Sequence, residues 1–188
     1  PAGQRSVVGL AAQPMERVRV GFVGLGQRGR EAVMRWCHLE RTDIVAVCDL
    51  SADSVADVQQ LLRDNGRPAA HAFSSAEQLC DMPNLDLVYV CTDWASHFSM
   101  ACCALEHGHH VAVEVPAVMT IREAWQLVDL AERQQLHCMM LENCCYDYFE
   151  LATAAMAQQG LLGEVVHGEG GYCHNLGDRW EPWRLRYN

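Results

Sequence analysis

The sequence predicts an α/β fold: a doubly wound, mostly parallel sheet, followed by the beginning of a truncated α+β second domain. Three observations carry this. From Arg17 onward, short apolar runs alternate with longer amphipathic stretches, the order that builds a parallel sheet with crossover helices. The runs are apolar at nearly every position rather than at every second one, as strands are when helices cover both faces. Between the first run and the first amphipathic stretch lies Gly24-Leu25-Gly26-Gln27-Arg28-Gly29. This is a GxGxxG turn in the place that makes such a sheet Rossmann-type.

The elements follow in order. Arg17 to Gly24 is a buried strand, and Arg28 to Glu40 the helix after it. Asp43 to Asp49 is a second strand, ending in an acid. Ser51 can accept a hydrogen bond from the backbone of a first helical turn, so it opens a helix through Leu62. Ala69 to Phe73 is a third strand, and Ser75 is placed to cap a short helix through Cys80. Leu85 to Thr92 is a strand and Ser96 to His107 a helix ended by Gly108. His110 to Val115 is the next strand, stopped by Pro116, which has no N–H to donate. Thr120 caps a helix from Ile121 to Gln135. His137 to Glu142 is a further strand, Phe149 to Gln159 a helix stopped by Gly160, and Gly163 to His174 is extended. The expected domain plan is residues 1–16 as a linker or the remains of a targeting peptide, 17–146 as the nucleotide-binding domain, and 147–188 as the incomplete start of a substrate domain.

Composition narrows the chemistry. The 188 residues carry a net charge of −10, and all 14 basic residues are arginine. With no lysine, a Schiff-base lysine, a Walker-type phosphate loop and a lysine general acid are excluded. The acidic balance disfavours nucleic acid and anionic membrane as partners. No apolar run reaches the roughly 18 residues of a membrane span. The ten cysteines contain no CxxC spacing, and Cys48, Cys91 and Cys138 sit within apolar runs. They read as reduced thiols of a protein folded in the cytoplasm, with later export of the folded protein left open. Cys102, Cys103, His107, His109 and His110 lie close in sequence but lack the spacing of zinc ligands, so no metal is expected.

Each glycine of the turn has its own task. Gly24 permits the tight turn, Gly26 lets a pyrophosphate approach the backbone, and Gly29 lets the helix pack on the strand. The helix N-terminus then offers N–H groups and a positive dipole to the anion. Asp49 ends the second strand about 20 residues further on, where a carboxylate accepts from the adenosine ribose hydroxyls. It would repel a 2′-phosphate, so NAD is favoured over NADP. Arg28 and Arg30 pull slightly the other way.

Longer motifs add a resemblance. VRVGFVGLGQRG, CTDWASHFSMACCALEHGHHVAVEVP, MMLENCCYDYFEL and GEVVHGEGGYCHNL resemble the glucose–fructose oxidoreductase/inositol dehydrogenase (Gfo/Idh/MocA) superfamily. Within it they are similar to glycoside hydrolase family 109, the NAD-dependent α-N-acetylgalactosaminidases. The superfamily's usual Glu-Lys-Pro is Glu114-Val115-Pro116 here, the form that the glycosidase branch carries. A simple sugar or polyol dehydrogenase, which uses that lysine, is thereby disfavoured but remains the alternative, beside a non-catalytic NAD-binding fragment.

The resemblance implies hydrolysis without net redox, in contrast to the two-carboxylate route of most glycosidases. Hydride leaves C3 of the sugar for NAD⁺, the C2 proton becomes acidic, a base removes it, the aglycone leaves, water adds and hydride returns. It implies cofactor contacts from Gly24, Gly26, Gln27, Arg28, Gly29, Asp49, Trp94, Ala95, Ser96, His97, Glu114, Val115 and Asn143. In the strand reading these fall at the carboxyl edge of the sheet, where doubly wound folds bind ligands. His97 near a helix start could instead bond backbone, and Glu114 in an apolar strand needs a partner or a function. Tyr172 matches the family's substrate-contacting tyrosine and Arg184 the arginine of its Trp-Arg segment. Tyr172 is the candidate base for the C2 proton, with His174 and Arg184 as the cations that would make a phenol basic enough. Tyr146 is expected beside the site. The family continues into a mainly antiparallel domain whose Tyr-x-Thr-His-Gly segment completes the sugar site. That segment does not occur in this sequence, so the 188-residue chain is expected to bind NAD, to turn over a glycoside poorly, and to offer an unpaired sheet edge through which a homo-oligomer could form.

Overall fold

The computed structural model describes residues 5–171 and 173. The expectations placed on Tyr172, His174 and Arg184 lie outside the described residues. Two compact units divide the chain, one running to Leu141 and the other starting at Glu142.

The first unit holds six strands: β1 (Val18–Val23), β2 (Thr42–Cys48), β3 (His71–Phe73), β4 (Leu87–Val90), β5 (His110–Val113) and β6 (Cys138–Met140). They form one sheet in the order β3-β2-β1-β4-β5-β6, and every pairing is parallel. Five helices connect them: α1 (Gln27–Trp36), α2 (Ala52–Asp64), α3 (Ala76–Cys80), α4 (Trp94–Glu106) and α5 (Ile121–Gln134). No helix among the described residues is long and apolar enough to cross a membrane.

Continuous apolar runs make sense once both faces are seen. One face packs Val20, Phe22, Ile44, Val47 and Tyr89 against Val33, Val58 and Leu62 of α1 and α2. The other packs Val23, Val88, Val90, Val111 and Val113 against Leu79, Leu105 and Leu127 of α3, α4 and α5. Successive side chains of a strand point to opposite faces, so Tyr89 goes to the first core while its neighbours Val88 and Val90 go to the second.

Helix starts follow local chemistry. Ser51 Oγ accepts from Ser54 N at 3.2 Å. Thr120 forms a capping box with Glu123 at the head of α5. Ser75 occupies the N-cap of α3 but makes no side-chain cap bond. α4 begins at Trp94 rather than Ser96, because Asp93 accepts from the N–H groups of Ala95 and Ser96. In the second unit α6 (Tyr148–Gln158) buries none of its residues. The stretch from Gly163 onward, expected to be extended, forms no strand over residues 163–171. A strand needs a neighbour to take up its backbone groups, and no ladder engages it among the described residues.

Candidate functional site

The hydrogen-bond ladder runs one residue past the strand ends and aligns a row along the carboxyl edge of the sheet. Asp49 N donates to Phe73 O (3.3 Å), Gly24 N to Cys48 O (2.9 Å), Cys91 N to Val23 O (2.7 Å), Glu114 N to Val90 O (2.9 Å) and Leu141 N to Val113 O (2.8 Å). Gly24, Asp49 and Glu114, chosen from separate strands in the sequence, thus share one edge with Cys91. Burial pushes the Cys91 thiol well above its ordinary range, so it stays neutral.

The glycine turn shows two of its expected tasks in its contacts, those of Gly24 and Gly29. Gly24 has φ +90°, and a Cβ there would lie 2.6 Å from the Cys91 backbone. A Cβ on Gly29 would fall 2.0 Å from Gly24 O, so only glycine lets α1 start this close to β1. Gly26 is the N-cap of α1, carries no side-chain cap bond, and would point a Cβ into open space. Two positions are closed by the protein itself, and the third is open on the side from which an anion would come. Asp49 braces the turn: its Oδ2 accepts from Leu25 N at 2.6 Å and its Oδ1 from Ser51 N at 2.8 Å. A carboxylate has about four acceptor sites, so capacity remains for ribose hydroxyls.

Glu114 is buried, 6% exposed, and has the partners that a buried acid requires. Its Oε1 accepts from Tyr89 Oη at 2.9 Å and lies 2.9 Å from Arg28 Nε. This triad ties the start of α1 to the end of β5. The hydrogen bond to Glu114 raises the Arg28 pKa further, against the opposing effect of burial. Burial pushes the Tyr89 phenol up, with the Glu114 carboxylate adding to it, so Tyr89 remains a donor. Gln27, exposed on the first turn, bonds Glu31 at 3.2 Å.

The segment after β4 is organised around Asp93. Ser96 Oγ lies 2.8 Å from both Asp93 Oδ2 and Thr92 Oγ1, Ala95 is exposed and Trp94 half-buried. His97 is 1% exposed. Its Nδ1 sits 2.8 Å from Pro116 O and its Nε2 3.0 Å from Thr92 O. The ring clamps the loop after β4 to the loop after β5, so the backbone-bonding alternative describes it in this structure. Any influence on a ligand would pass through the two loops it joins. Val115, exposed, precedes Pro116 through a cis peptide. Asn143 belongs to the second unit, where its N–H donates to Glu142 Oε1 at 3.1 Å.

Sequence reasoning missed Tyr89 and Asp93. Asp93 had a readable signal, an acid just before a helical run. Tyr89 had only its polarity among valines. The residues present fit a dinucleotide: a turn closed by glycine where protein approaches, open where phosphate would approach, with an acid at the end of β2.

Residues 18–142 match the Gfo/Idh/MocA family described as "Oxidoreductase family, NAD-binding Rossmann fold". Over its whole length the chain is 50% identical to Glycosyl hydrolase family 109 protein 1 of Bacteroides fragilis and 47% identical to a Glycosyl hydrolase family 109 protein of Porphyromonas gingivalis. It spans 42% of the length of each of these curated relatives. Among solved structures, it resembles scyllo-inositol dehydrogenase from Lactobacillus casei with bound NAD(H) and scyllo-inositol, with a TM-score of 0.69 and 17% identity over 79% of this chain and 43% of that one. It also resembles an NAD-binding protein from Listeria innocua, with a TM-score of 0.63 and 26% identity over 79% of this chain and 42% of that one.

Proposed function

The chain belongs to the Gfo/Idh/MocA oxidoreductase family, with its NAD-binding Rossmann fold, and from that premise we propose that it is the nucleotide-binding part of an NAD-dependent glycoside hydrolase acting on α-linked N-acetylgalactosaminides. The observation that carries the reading is 50% identity along the whole chain to a family 109 glycosyl hydrolase. Glu114-Val115-Pro116 and a sequence without lysine support it, since a net sugar dehydrogenase of this superfamily would be missing its lysine.

NAD, when bound, supplies reversible hydride acceptance at C3 of the sugar, so that hydrolysis proceeds with no net redox. The chain's own residues do the rest. The Gly26 backbone and the N-terminus of α1 receive the pyrophosphate. Asp49 accepts from the adenosine ribose and disfavours a 2′-phosphate. Glu114 and Tyr89 hold Arg28 at the head of α1, beside that phosphate. Trp94, Ala95 and Ser96 line the cofactor from the start of α4 and Val115 from the end of β5. In this reading Tyr172 takes the C2 proton, with His174 and Arg184 as neighbouring cations, and Tyr172 and Arg184 contact the sugar. Residues 147–188 are the start of the substrate domain.

A chromogenic α-N-acetylgalactosaminide, incubated with the protein with and without added NAD⁺, tests the reading. Dye release that depends on NAD occupancy, with no rise at the NADH absorbance band, is expected. NADH accumulating in step with substrate consumption would replace the glycosidase by a sugar oxidoreductase.

A further inference from the structure

Two acids flank the head of α1, and they have partners of different kinds. In the sheet order β1 has β2 on one side and β4, then β5, on the other. Asp49 follows β2 and Glu114 follows β5, so three strand spacings, roughly 14 Å, separate the two strand ends. Arg28 is the second residue of α1 and starts between them. Its Nε lies 2.9 Å from Glu114 Oε1, so its side chain leans toward β5. The same oxygen accepts from Tyr89 Oη at 2.9 Å, which fixes where the acceptor sits. Asp49 is held by backbone amides instead. Its Oδ2 accepts from Leu25 N at 2.6 Å and its Oδ1 from Ser51 N at 2.8 Å.

We propose that Glu114 is a specificity-determining residue for the dinucleotide: it tethers Arg28 on the β5 side and so keeps a guanidinium away from the ribose end of the nucleotide site beside Asp49. An arginine at Asp49 would do two things. It would neutralise the carboxylate that repels a 2′-phosphate, and its planar fork would itself grip that phosphate. Leu25, whose N–H Asp49 accepts, lies only three residues before Arg28, so an untethered Arg28 side chain can turn to the side of α1 that Asp49 faces. With the tether in place, Arg28 stays beside the pyrophosphate that NAD and NADP share, and Asp49 keeps its charge for the ribose on which they differ. This resolves how an arginine in the glycine turn, a residue that by itself favours NADP, coexists with a site for NAD. The inference rests on the reading that Asp49 meets the adenosine ribose.

Calorimetric titration of NAD and of NADP tests the tether. The quantity read is the ratio of dissociation constants, NADP over NAD, in which any loss common to both dinucleotides cancels. Glu114→Gln keeps the size of the side chain and an oxygen for Tyr89, but it cannot hold the guanidinium by charge. Its ratio is expected to fall about tenfold from the wild-type value, the worth of one charged hydrogen bond to the extra phosphate. Adding Arg28→Gln to Glu114→Gln should return the ratio to within about twofold of wild type. Arg28→Gln alone, whose amide can still donate to Glu114, should leave the ratio where it was, because the tethered residue does not reach the 2′ position. Melting curves without ligand check that each variant folds. An unchanged ratio in Glu114→Gln, or a fall that survives in the double variant, would overturn the proposal. So would a rise in Arg28→Gln alone, which would show an arginine already serving the 2′-phosphate, and that result does not depend on whether Glu114→Gln folds. The Asp49 reading is judged separately, by the wild-type ratio itself: a value near one sinks that assignment, whereas the tether is read only from the Arg28-dependent change between variants.

Discussion

At the scale of the residue, the glycine turn separates two quantities that usually move together, stability and ligand affinity. Gly29→Ala forces a methyl to within 2.0 Å of Gly24 O, which is backbone and cannot yield. Overpacking of this sort costs about 1–3 kcal/mol or more, so a lower Tm is expected before any ligand is added. Gly26→Ala meets nothing within 4 Å, and its Tm without ligand should stay within about 2 °C of wild type. Its methyl nevertheless stands where a pyrophosphate must approach, so its affinity for NAD should fall at least tenfold, roughly 1.4 kcal/mol. Calorimetric titration of NAD into both variants, beside thermal melts, reads the two quantities. A Gly26→Ala protein that binds NAD like wild type would remove the anion site from this turn.

At the scale of the element, strands are fastened at both ends, and the amino ends depend on charge. Arg19 of β1 meets Asp86, just before β4, through Nε to Oδ2 at 2.8 Å and an η nitrogen to Oδ1 at 2.7 Å, and its backbone N–H also donates to Oδ2 at 2.8 Å. The side-chain bond to Arg19 holds the Asp86 carboxyl below the usual carboxylate range, against burial. A lowered folded value means that this stabilisation is present above the unfolded aspartate pKa of about 3.9 and is lost as pH falls through the folded one. Asp86→Asn should therefore melt earlier than wild type at pH 7. The gap between the two melting temperatures should close as the pH drops below about 4. A gap that stayed constant across that range would show that the carboxylate charge is not what β1 and β4 share. The pair also marks how far the sequence was legible. Element order, strand identity and the capping box at Thr120 are local matters, and the periodicity of a few residues reports them. The start of α4 lies two residues ahead of the expected Ser96 because Asp93 satisfies the N–H groups of the first turn. The bracing of Asp49 by Leu25, and of Glu114 by Tyr89 and Arg28, joins residues from different strands. No local pattern announces such partners; they exist only once the sheet order is set.

At the scale of the whole molecule, a chain of net charge −10 binds an anionic dinucleotide against its own long-range field. In the proposed reading affinity comes from short-range features: the N–H groups at the head of α1, the Arg28 guanidinium anchored on Glu114, and the acceptor capacity of Asp49. In that reading the last of these adds selectivity, because a carboxylate that welcomes ribose hydroxyls repels a phosphate on the same ribose. The expected outcome is unequal stabilisation. A ligand at a hundred times its Kd stabilises the folded state by about 2.7 kcal/mol, which for a domain of this size is a Tm rise of roughly 5–10 °C. NAD should produce a shift of that order, and NADP at the same concentration a clearly smaller one. Asp49→Ala removes the repulsion together with the ribose contact, so its response to NAD should weaken while its response to NADP holds or grows, bringing the two together. The same substitution also frees the N–H groups of Leu25 and Ser51, so the variant's melt without ligand must serve as its own baseline. Equal shifts from the two dinucleotides in the wild-type protein would mean that Asp49 braces the glycine turn and does nothing to choose its ligand.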